Sequence, residues 1–475
     1  MLKVFWFRKD LRLEDNAGLR EFINSVTDKD EILFLYIKNK NKYHYYGEKR
    51  INFLYESLNE LKNDLREKGF ERLMTKAKSP EVIKQVKKEK PAIEVSANEQ
   101  VEPYSIERDK EVKEIIPSFQ LFIDNTIFPL GKIRTDEGNF YSVFTPFKKK
   151  FLLLLKGECA KQNCSLDKLE NTKQFKSSSL KEFSIPETKD EIFKGGRKEA
   201  VRLLNIFCKE KMTAYKEQRD FPGEYGTSLL SPHIHFGAIG FREVFRAAQH
   251  KADKEAKSEI EKINIDSWIS ELIWREFYYN ITFHKPHIIT KSFKPEFDKL
   301  KWEWNDELFK KWCEGKTGYP IVDAGMRQLN ETGWMHNRLR MITAMFLTKD
   351  LFMDWRLGEK YFAEKLIDLD FSSNNGGWQW SASTGCDAQP YFRIFNPVLQ
   401  SKKFDTDGSY IKKYVPELKD VDAKYIHEPW EFETELKEKY NITLGKNYPF
   451  PVVNHFEIKD RVISEFKRIQ QKKFE

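Results

Sequence analysis

Asp368-Leu369-Asp370-Phe-Ser-Ser-Asn374-Asn375-Gly-Gly-Trp378-Gln-Trp380, followed by Ser-Ala-Ser-Thr-Gly-Cys386-Asp387 and Pro390-Tyr-Phe-Arg-Ile-Phe-Asn-Pro397, is the stretch whose reading decides this chain. Two aspartates, two asparagines, a Gly-Gly pair and two indoles fall within thirteen residues. Neither an ordinary surface loop nor a core helix has use for that mixture. Adjacent glycines let a backbone approach a flat ligand, amides donate and accept at once, and indoles are planar and easily oxidised. The stretch reads as a pocket for a large heteroaromatic cofactor. The plainer alternative is a glycine-interrupted helix end among buried aromatics.

Length and composition bound the rest. At 475 residues, 40% hydrophobic and 33% charged, the chain suffices for two domains, each with a core. The formal charge of +8 suits a polyanionic partner and equally a lysine-rich solvated surface. Cys159, Cys164, Cys208, Cys313 and Cys386 show neither a Cys-x-x-Cys pair nor metal-ligand spacing, which argues for reduced intracellular thiols. His233, His235, His284 and His287 have no repeated spacing and no neighbouring cysteine, so no metal site is expected. The opening residues lack the uncharged apolar core of a signal peptide, and Phe151–Leu155 is too short to cross a bilayer. A cytoplasmic protein without membrane association is expected.

Along the chain, Val4–Phe7 is an apolar run that stops at Arg8-Lys-Asp10-Leu-Arg12-Leu-Glu-Asp15-Asn16, a buried strand and a polar loop. Further strands are expected at Glu31–Ile37, Arg72–Thr75, Ala92–Ser96 and Gln120–Asp124, with a helical period through Phe53, Leu54, Leu58, Leu61 and Leu65. This alternation predicts an α/β, doubly wound, Rossmann-like parallel sheet over residues 1–131. No Gly-x-Gly-x-x-Gly follows the first strand, so a dinucleotide in the usual crevice is not indicated. Residues 132–195 turn irregular and read as a connector that packs in part through Phe144-Thr-Pro-Phe147 and Phe151–Leu155. From 196 to 475 the chain reads as helical, and nine of its eleven tryptophans lie between Trp268 and Trp380.

Three more constellations accompany the opening stretch. Tyr215, Arg219 and Thr227-Ser228-Leu229-Leu230-Ser231-Pro232 set hydroxyls before a helix with an early proline, which suits a phosphate or simply caps the helix. In Trp268-Ile-Ser-Glu271-Leu-Ile-Trp274-Arg275-Glu276-Phe-Tyr278, helical spacing puts Glu271, Trp274, Arg275 and Tyr278 on one face. That face is a recognition stripe or a buried ion pair beside a core tryptophan. In Trp334-Met-His-Asn337-Arg338-Leu-Arg340-Met341, Asn337 and Met341 share a face, where methionine is commonly core filler.

Asn374-Asn-Gly-Gly-Trp378-Gln-Trp380 with the following Pro-Tyr-Phe-Arg-Ile-Phe-Asn-Pro resembles the flavin-pocket signature of photolyases and cryptochromes, specifically of class I bacterial pyrimidine-dimer photolyases. The segment from Phe7 to Asn16 resembles the opening motif of that family's N-terminal domain, and the resemblance covers essentially the whole chain. It implies an α/β antenna domain at 1–131, a connector at 132–195 and an all-α FAD-binding catalytic domain at 196–475. The implied activity is light-driven repair, in which fully reduced FAD lends an electron to a flipped cyclobutane pyrimidine dimer in DNA.

Residue by residue, the resemblance implies FAD contacts from Tyr215, Thr227, Ser228, Leu229, Leu230, Ser231, Trp268, Arg340, Asp368, Leu369, Asp370 and Asn374. Leu229 stands where many relatives carry Arg, Asn374 matches the residue near flavin N5, and Arg340 is expected to pair with Asp368. Glu271, Trp274, Asn337 and Met341 are implied to hold the dimer, and Trp302, Trp355 and Trp378 to carry electrons between flavin and surface. Arg219, Arg275, Tyr278, Arg338, Trp380 and Gln400, with Lys402 and Lys403, are implied at the DNA alongside Glu271, Trp274 and Asn337. Ser105 stands where folate-binding relatives have Glu, which argues against a folate antenna and leaves a deazaflavin, a second flavin or none. The expected partner is dimer-containing DNA, and the protein is expected to be a monomer without an obligate protein partner. A cryptochrome-type signalling flavoprotein competes, set aside because no long extension follows the domain before Glu475. A flavoprotein oxidoreductase acting on small substrates is the third reading.

Overall fold

The structure, a computed structural model, describes residues 1–39, 47–155, 159–162, 164–186, 188 and 192–471. Parts of the expected 132–195 connector, and Glu475, lie outside the described residues.

The apolar runs form a parallel sheet. β1 (Leu2–Phe7), β2 (Glu31–Lys38), β3 (Arg72–Lys76), β4 (Ile93–Asn98) and β5 (Gln120–Phe122) lie in the order β3-β2-β1-β4-β5. Val4 pairs with Leu33 on one side and Val95 on the other. The crossovers are helical: α1 (Ala17–Ser25), α2 (Glu48–Glu67), α3 (Ser79–Glu89) and α4 (Pro103–Ile115). Phe53, Leu54, Leu58, Leu61 and Leu65 of α2 bury against Phe5, Phe7 and Phe34. On the opposite face, Val82, Ile83 and Val86 of α3 and Val112 of α4 cover Val4, Trp6, Leu33 and Leu35. A strand covered on both faces needs an unbroken apolar run, which is why β1 and β2 were legible.

Residues 132–195 contain more regular structure than their composition suggested. α5 (Phe144–Leu154) lies within them, and Phe147 and Phe151, four apart, are buried beside Phe277 and Phe245. The lysine run Lys148–Lys150 lies between those anchors and masks their spacing. Lys173–Gln174 forms β6, pairing in parallel with Glu31–Ile32 of β2.

The chain forms two compact units. The first comprises Met1–Tyr141, Thr145–Thr213 and Ser228–His284, and so includes α6 (Phe241–His250) and α7 (Glu259–His284). The second comprises Ser142–Phe144, Ala214–Thr227 and Lys285–Glu475. The second unit contains α8 (Asp306–Glu314), α9 (Pro320–Thr332), α10 (Asn337–Met345), α11 (Trp355–Lys365), α12 (Phe371–Ala382), α13 (Pro397–Phe404) and α14 (His455–Gln471). Its core gathers Trp312, Met335, Leu339, Trp355, Phe362 and Trp378.

Candidate cofactor and nucleic-acid site

The deciding stretch is one unbroken helix, α12, so the Gly-Gly pair lies inside a helix and ends nothing. Asp370 is its N-cap, accepting from Ser373 N at 2.9 Å. The carboxylate expected at a flavin ring edge is thus partly committed to starting the helix, a role the Asp-x-x-Ser spacing signals. Glycine inside a helix costs about 1 kcal/mol relative to alanine, so it calls for a local reason. A Cβ on Gly377 would meet nothing within 4 Å, so internal packing does not require the glycine there. Open space at this position fits close approach by a flat ligand.

The two asparagines do different work. Asn375 is fully buried, donating to Ile288 O at 3.0 Å and Glu359 Oε1 at 3.1 Å while accepting from Gln379 Nε2 at 3.0 Å. Asn374 is half-buried and donates from Nδ2 to Glu359 O at 3.2 Å. With the amide nitrogen tethered, Oδ1 is the end left to accept from a ligand N–H. Burial raises Glu359 to about 7, with the Asn375 hydrogen bond and Arg356 opposing. Nothing local in the sequence pointed to Glu359, because only the packing of α11 on α12 brings it beside the asparagines.

The expected ion pair forms: Arg340 Nη2 donates to Asp368 Oδ2 at 2.8 Å. Leu369 packs half-buried against the core. On α10, Asn337 is exposed and its Nδ2 reaches Met341 Sδ at 3.8 Å, so these two residues do share a face. Trp355 and Trp378 are buried, and Trp302 lies half-buried against Phe352 with ring centroids 5.1 Å apart. Trp312, outside the expected trio, meets the Trp378 ring at 6.0 Å.

The basic residues of the second unit expected at DNA have protein partners. Arg338 donates to Asp220 Oδ1 at 2.6 Å and lies 4.3 Å above the Phe404 ring. Lys402 pairs with Glu428, Lys403 lies 5.1 Å from the Phe404 ring, and Arg219 lies 5.8 Å from that of Tyr215. Trp380 and Gln400 are half-buried. A phosphate arriving at Arg338 or Lys402 would have to compete with an acidic side chain.

In the first unit, α7 shows the expected stripe: Glu271, Trp274, Arg275 and Tyr278 are all half-buried, whereas Trp268 is buried against Phe207 at 4.8 Å. Trp274 lies 5.5 Å from Tyr278 at 30°. Arg275, expected to reach a phosphate, donates from Nη1 to Asn125 O at 2.6 Å and lies between the rings of Phe241 and Tyr279. Its neighbour Glu276 is fully buried and accepts from Ile127 N at 2.8 Å. Ser228 Oγ accepts from Leu230 N at 3.4 Å, Leu229 adopts φ +56°, and Ser231 opens a short helix with Pro232 in its first turn. Tyr215 and Thr227 belong to the second unit.

Among the described residues no helix is long and apolar enough to cross a membrane, and no group of three or more His, Cys, Asp or Glu is arranged to hold a metal ion.

A doubly wound sheet unit and a helical unit whose α12 combines a ligand-accessible glycine, a tethered amide and a neighbouring arginine–aspartate pair define a protein built to hold a flat heteroaromatic cofactor. Residues 268–468 match the family model described as the FAD binding domain of DNA photolyase, and residues 3–165 the one described as DNA photolyase. The chain belongs to the DNA photolyase family. It is 39% identical over 481 residues to the deoxyribodipyrimidine photo-lyase of Escherichia coli strain K12, covering 99% of each chain. A bacterial class III photolyase from Agrobacterium tumefaciens superposes with a TM-score of 0.88 at 33% identity, covering 99% of this chain and 98% of that one. An archaeal photolyase from Sulfolobus tokodaii, solved with two FAD molecules, superposes with a TM-score of 0.82 at 32% identity, covering 98% of this chain and 100% of that one.

Proposed function

We propose that this protein is a deoxyribodipyrimidine photolyase, a light-dependent carbon–carbon lyase that splits cyclobutane pyrimidine dimers in DNA. The observation that carries this reading is α12, where Asn374 is held by the Glu359 carbonyl beside the open space at Gly377, within a chain similar over its whole length to such enzymes. FAD, when bound, supplies a light-excitable one-electron donor.

The chain's own residues do the rest. Tyr215, Thr227, Ser228, Leu229, Leu230 and Ser231 would hold the phosphate side of the cofactor, and Trp268, Arg340, Asp368, Leu369, Asp370 and Asn374 its rings. The Asn374 amide would accept from a ring N–H and so favour the reduced form. A dimer pairs and stacks poorly, so extruding it costs less than extruding a normal base. Trp274 stacks on the extruded dimer and Glu271 hydrogen-bonds it; Asn337 and Met341 are further lesion contacts. Arg219, Arg275, Tyr278, Arg338, Trp380 and Gln400 contact the surrounding strand. The electron that the bound cofactor would lend to the dimer would be recovered once the cyclobutane bonds break, so repair would need no net redox change. Trp378, Trp355 and Trp302 serve the separate task of keeping the cofactor reduced.

The same reading assigns 1–131 to an antenna domain, 132–195 to a connector and 196–475 to the catalytic domain of a cytoplasmic monomer that needs no protein partner. Ser105 is buried, with Oγ 3.2 Å from Gln100 Oε1, and offers no carboxylate to a folate. A deazaflavin or flavin antenna suits the chain better, and the Sulfolobus tokodaii photolyase carries two FAD molecules. The test is illumination of the reduced protein with a dimer-containing oligonucleotide, with chromatographic counting of restored bases. Repair in light and none in darkness is expected. A reduced, flavin-loaded protein that leaves the dimer intact would instead support the signalling reading.

A further inference from the structure

Alongside the expected route through Trp355 and Trp302, the rings around Trp378 lay out a second one. Trp312 meets Trp378 edge to face, with centroids 6.0 Å apart and planes at 72°. Trp312 stacks on Phe309 at 5.8 Å and 20°, and Phe309 lies against Trp304 at 6.2 Å and 32°. Trp312 is fully buried, whereas Trp304 is 60% exposed. Four rings in near contact thus run from the buried indole of α12 to solvent.

Local sequence explains the arrangement. Phe309 and Trp312 are three apart on α8 and share a face. Trp302 and Trp304 flank Glu303, which forms a bridge with Met353; Trp302 turns to Phe352 while Trp304 turns to Phe309.

Electrostatics favours a positive hole on Trp312 over one on Trp355. The Trp312 Nε1–H donates to Thr343 O at 3.1 Å, and such a bond strengthens when the donor becomes cationic. Trp355 Nε1 is buried and makes no hydrogen bond among the described residues. The Arg356 guanidinium lies 4.6 Å over the Trp355 ring and pairs with both Asp298 and Asp354, so the difference between the two indoles rests on the hydrogen bond at Trp312.

We propose that Trp312, Phe309 and Trp304 form a second electron-entry route to Trp378, fed at Trp304 by a thiol reductant in solution. This rests on the photolyase reading, in which Trp378 is the indole that gives its electron to the cofactor side. When Trp378 has lost one electron, one moves to it from Trp312 and one from Trp304 to Trp312. Electronic coupling falls steeply with the gap between π-systems; Phe309, harder to oxidise than indole, bridges this hop without itself being oxidised. Oxidised Trp304 releases its Nε1 proton to water and takes a hydrogen atom from a thiol. Two thiyl radicals then join as a disulfide, so each electron delivered inward is matched by one thiol oxidised and one proton released.

The experiment compares the flavin-loaded parent with Trp304→Phe, Trp312→Phe, Trp302→Phe and the Trp302→Phe/Trp304→Phe double variant. Bleaching of the oxidised flavin band is followed under light with dithiothreitol. In parallel, samples are illuminated in air without thiol and oxygen adducts are mapped on tryptophans by mass spectrometry, a readout independent of repair. Trp304 is on the surface, so its loss leaves folding intact even if Trp312→Phe perturbs the core. Severalfold slower bleaching in Trp304→Phe, near-complete loss in the double variant and adducts on Trp304 in the parent are expected. Parent-like bleaching in Trp304→Phe and Trp312→Phe, with adducts on Trp302 and none on Trp304, overturns the second route alone. A parent that does not bleach overturns the electron-chain reading and this route with it.

Discussion

Arg340 and Asp368 are joined at 2.8 Å from Nη2 to Oδ2, while Nε of the same guanidinium holds Met335 O, also at 2.8 Å. One side chain thus ties the turn before α10 to the turn before α12. The Asp368 side chain is 3% exposed and that of Arg340 27%, so the acid is the more deeply desolvated partner. Asp368→Asn keeps the shape and removes the charge. It should destabilise the protein by about 1–3 kcal/mol, the usual cost of breaking a buried charge-assisted hydrogen bond. Bound flavin should also fall severalfold. Urea melts and flavin content of the purified variant check this, and parent-level flavin would mean that the pair has no part in holding the cofactor.

Gly358 makes room for Trp378. A Cβ there would lie 2.0 Å from Trp378 Cη2, 2.4 Å from Cζ3 and 2.7 Å from Leu347 Cδ2, all rigid or enclosed atoms. Overpacking of this kind costs about 1–3 kcal/mol or more, while alanine regains about 1 kcal/mol of helix propensity. Gly358→Ala should therefore lower stability by a net of up to about 2 kcal/mol or more and shift the tryptophan emission, as the ring is displaced. An equally stable variant with unchanged emission would contradict the packing described here.

How much could be read in advance follows from where each signal lives. The α7 stripe was legible because Glu271, Trp274, Arg275 and Tyr278 sit on a single helix, where spacing alone fixes the face. The strands were legible because burial on both sides demands unbroken apolar runs. By contrast, Gly-Gly argued against the continuous α12 that forms, since propensity penalises glycine and says nothing about the space beside it. Glu359 and Trp312 reach Asn375 and Trp378 only through helix packing, which no local pattern encodes. The charges of Arg275 and Arg338 were legible, but their partners, Asn125 O and Asp220, lie 150 and 118 residues away. β6 is two residues long, too short for any periodicity.

Glu276 gives a pH signature. Burial raises its pKa to about 7, with Arg275, the Ile127 N–H and Arg242 opposing and Glu99 adding to the rise. Unfolded, the group titrates near 4.5. Between those values the native state keeps a proton that the unfolded state has lost, so stability falls as pH rises through this window. Glu276→Gln keeps an acceptor for Ile127 N and removes the proton. The parent should lose on the order of 3 kcal/mol relative to this variant between about pH 4.5 and 7. Denaturant melts of both proteins across that range measure the difference, and parallel curves would show that Glu276 does not hold the proton.

Trp274 offers the sharpest separation of lesion recognition from general grip. Its ring is half-buried on α7, braced by Tyr278 at 5.5 Å and by the edge of Phe277 at 5.4 Å, so it is held in place yet accessible to a partner. Stacking of a base on such a ring is worth about 1–3 kcal/mol, so Trp274→Ala should cut the preference for dimer-containing over undamaged DNA by roughly tenfold. The salt dependence should stay nearly unchanged, because its slope counts counterions released at phosphates and the indole neutralises none. Titrations of both oligonucleotides at several salt concentrations give the two quantities independently. Should binding to damaged and undamaged DNA weaken in proportion, the indole supports the fold of α7 and does not touch the lesion. Should the slope itself flatten, Trp274 positions a phosphate-binding cation, for which Arg275 on the same face is the first candidate.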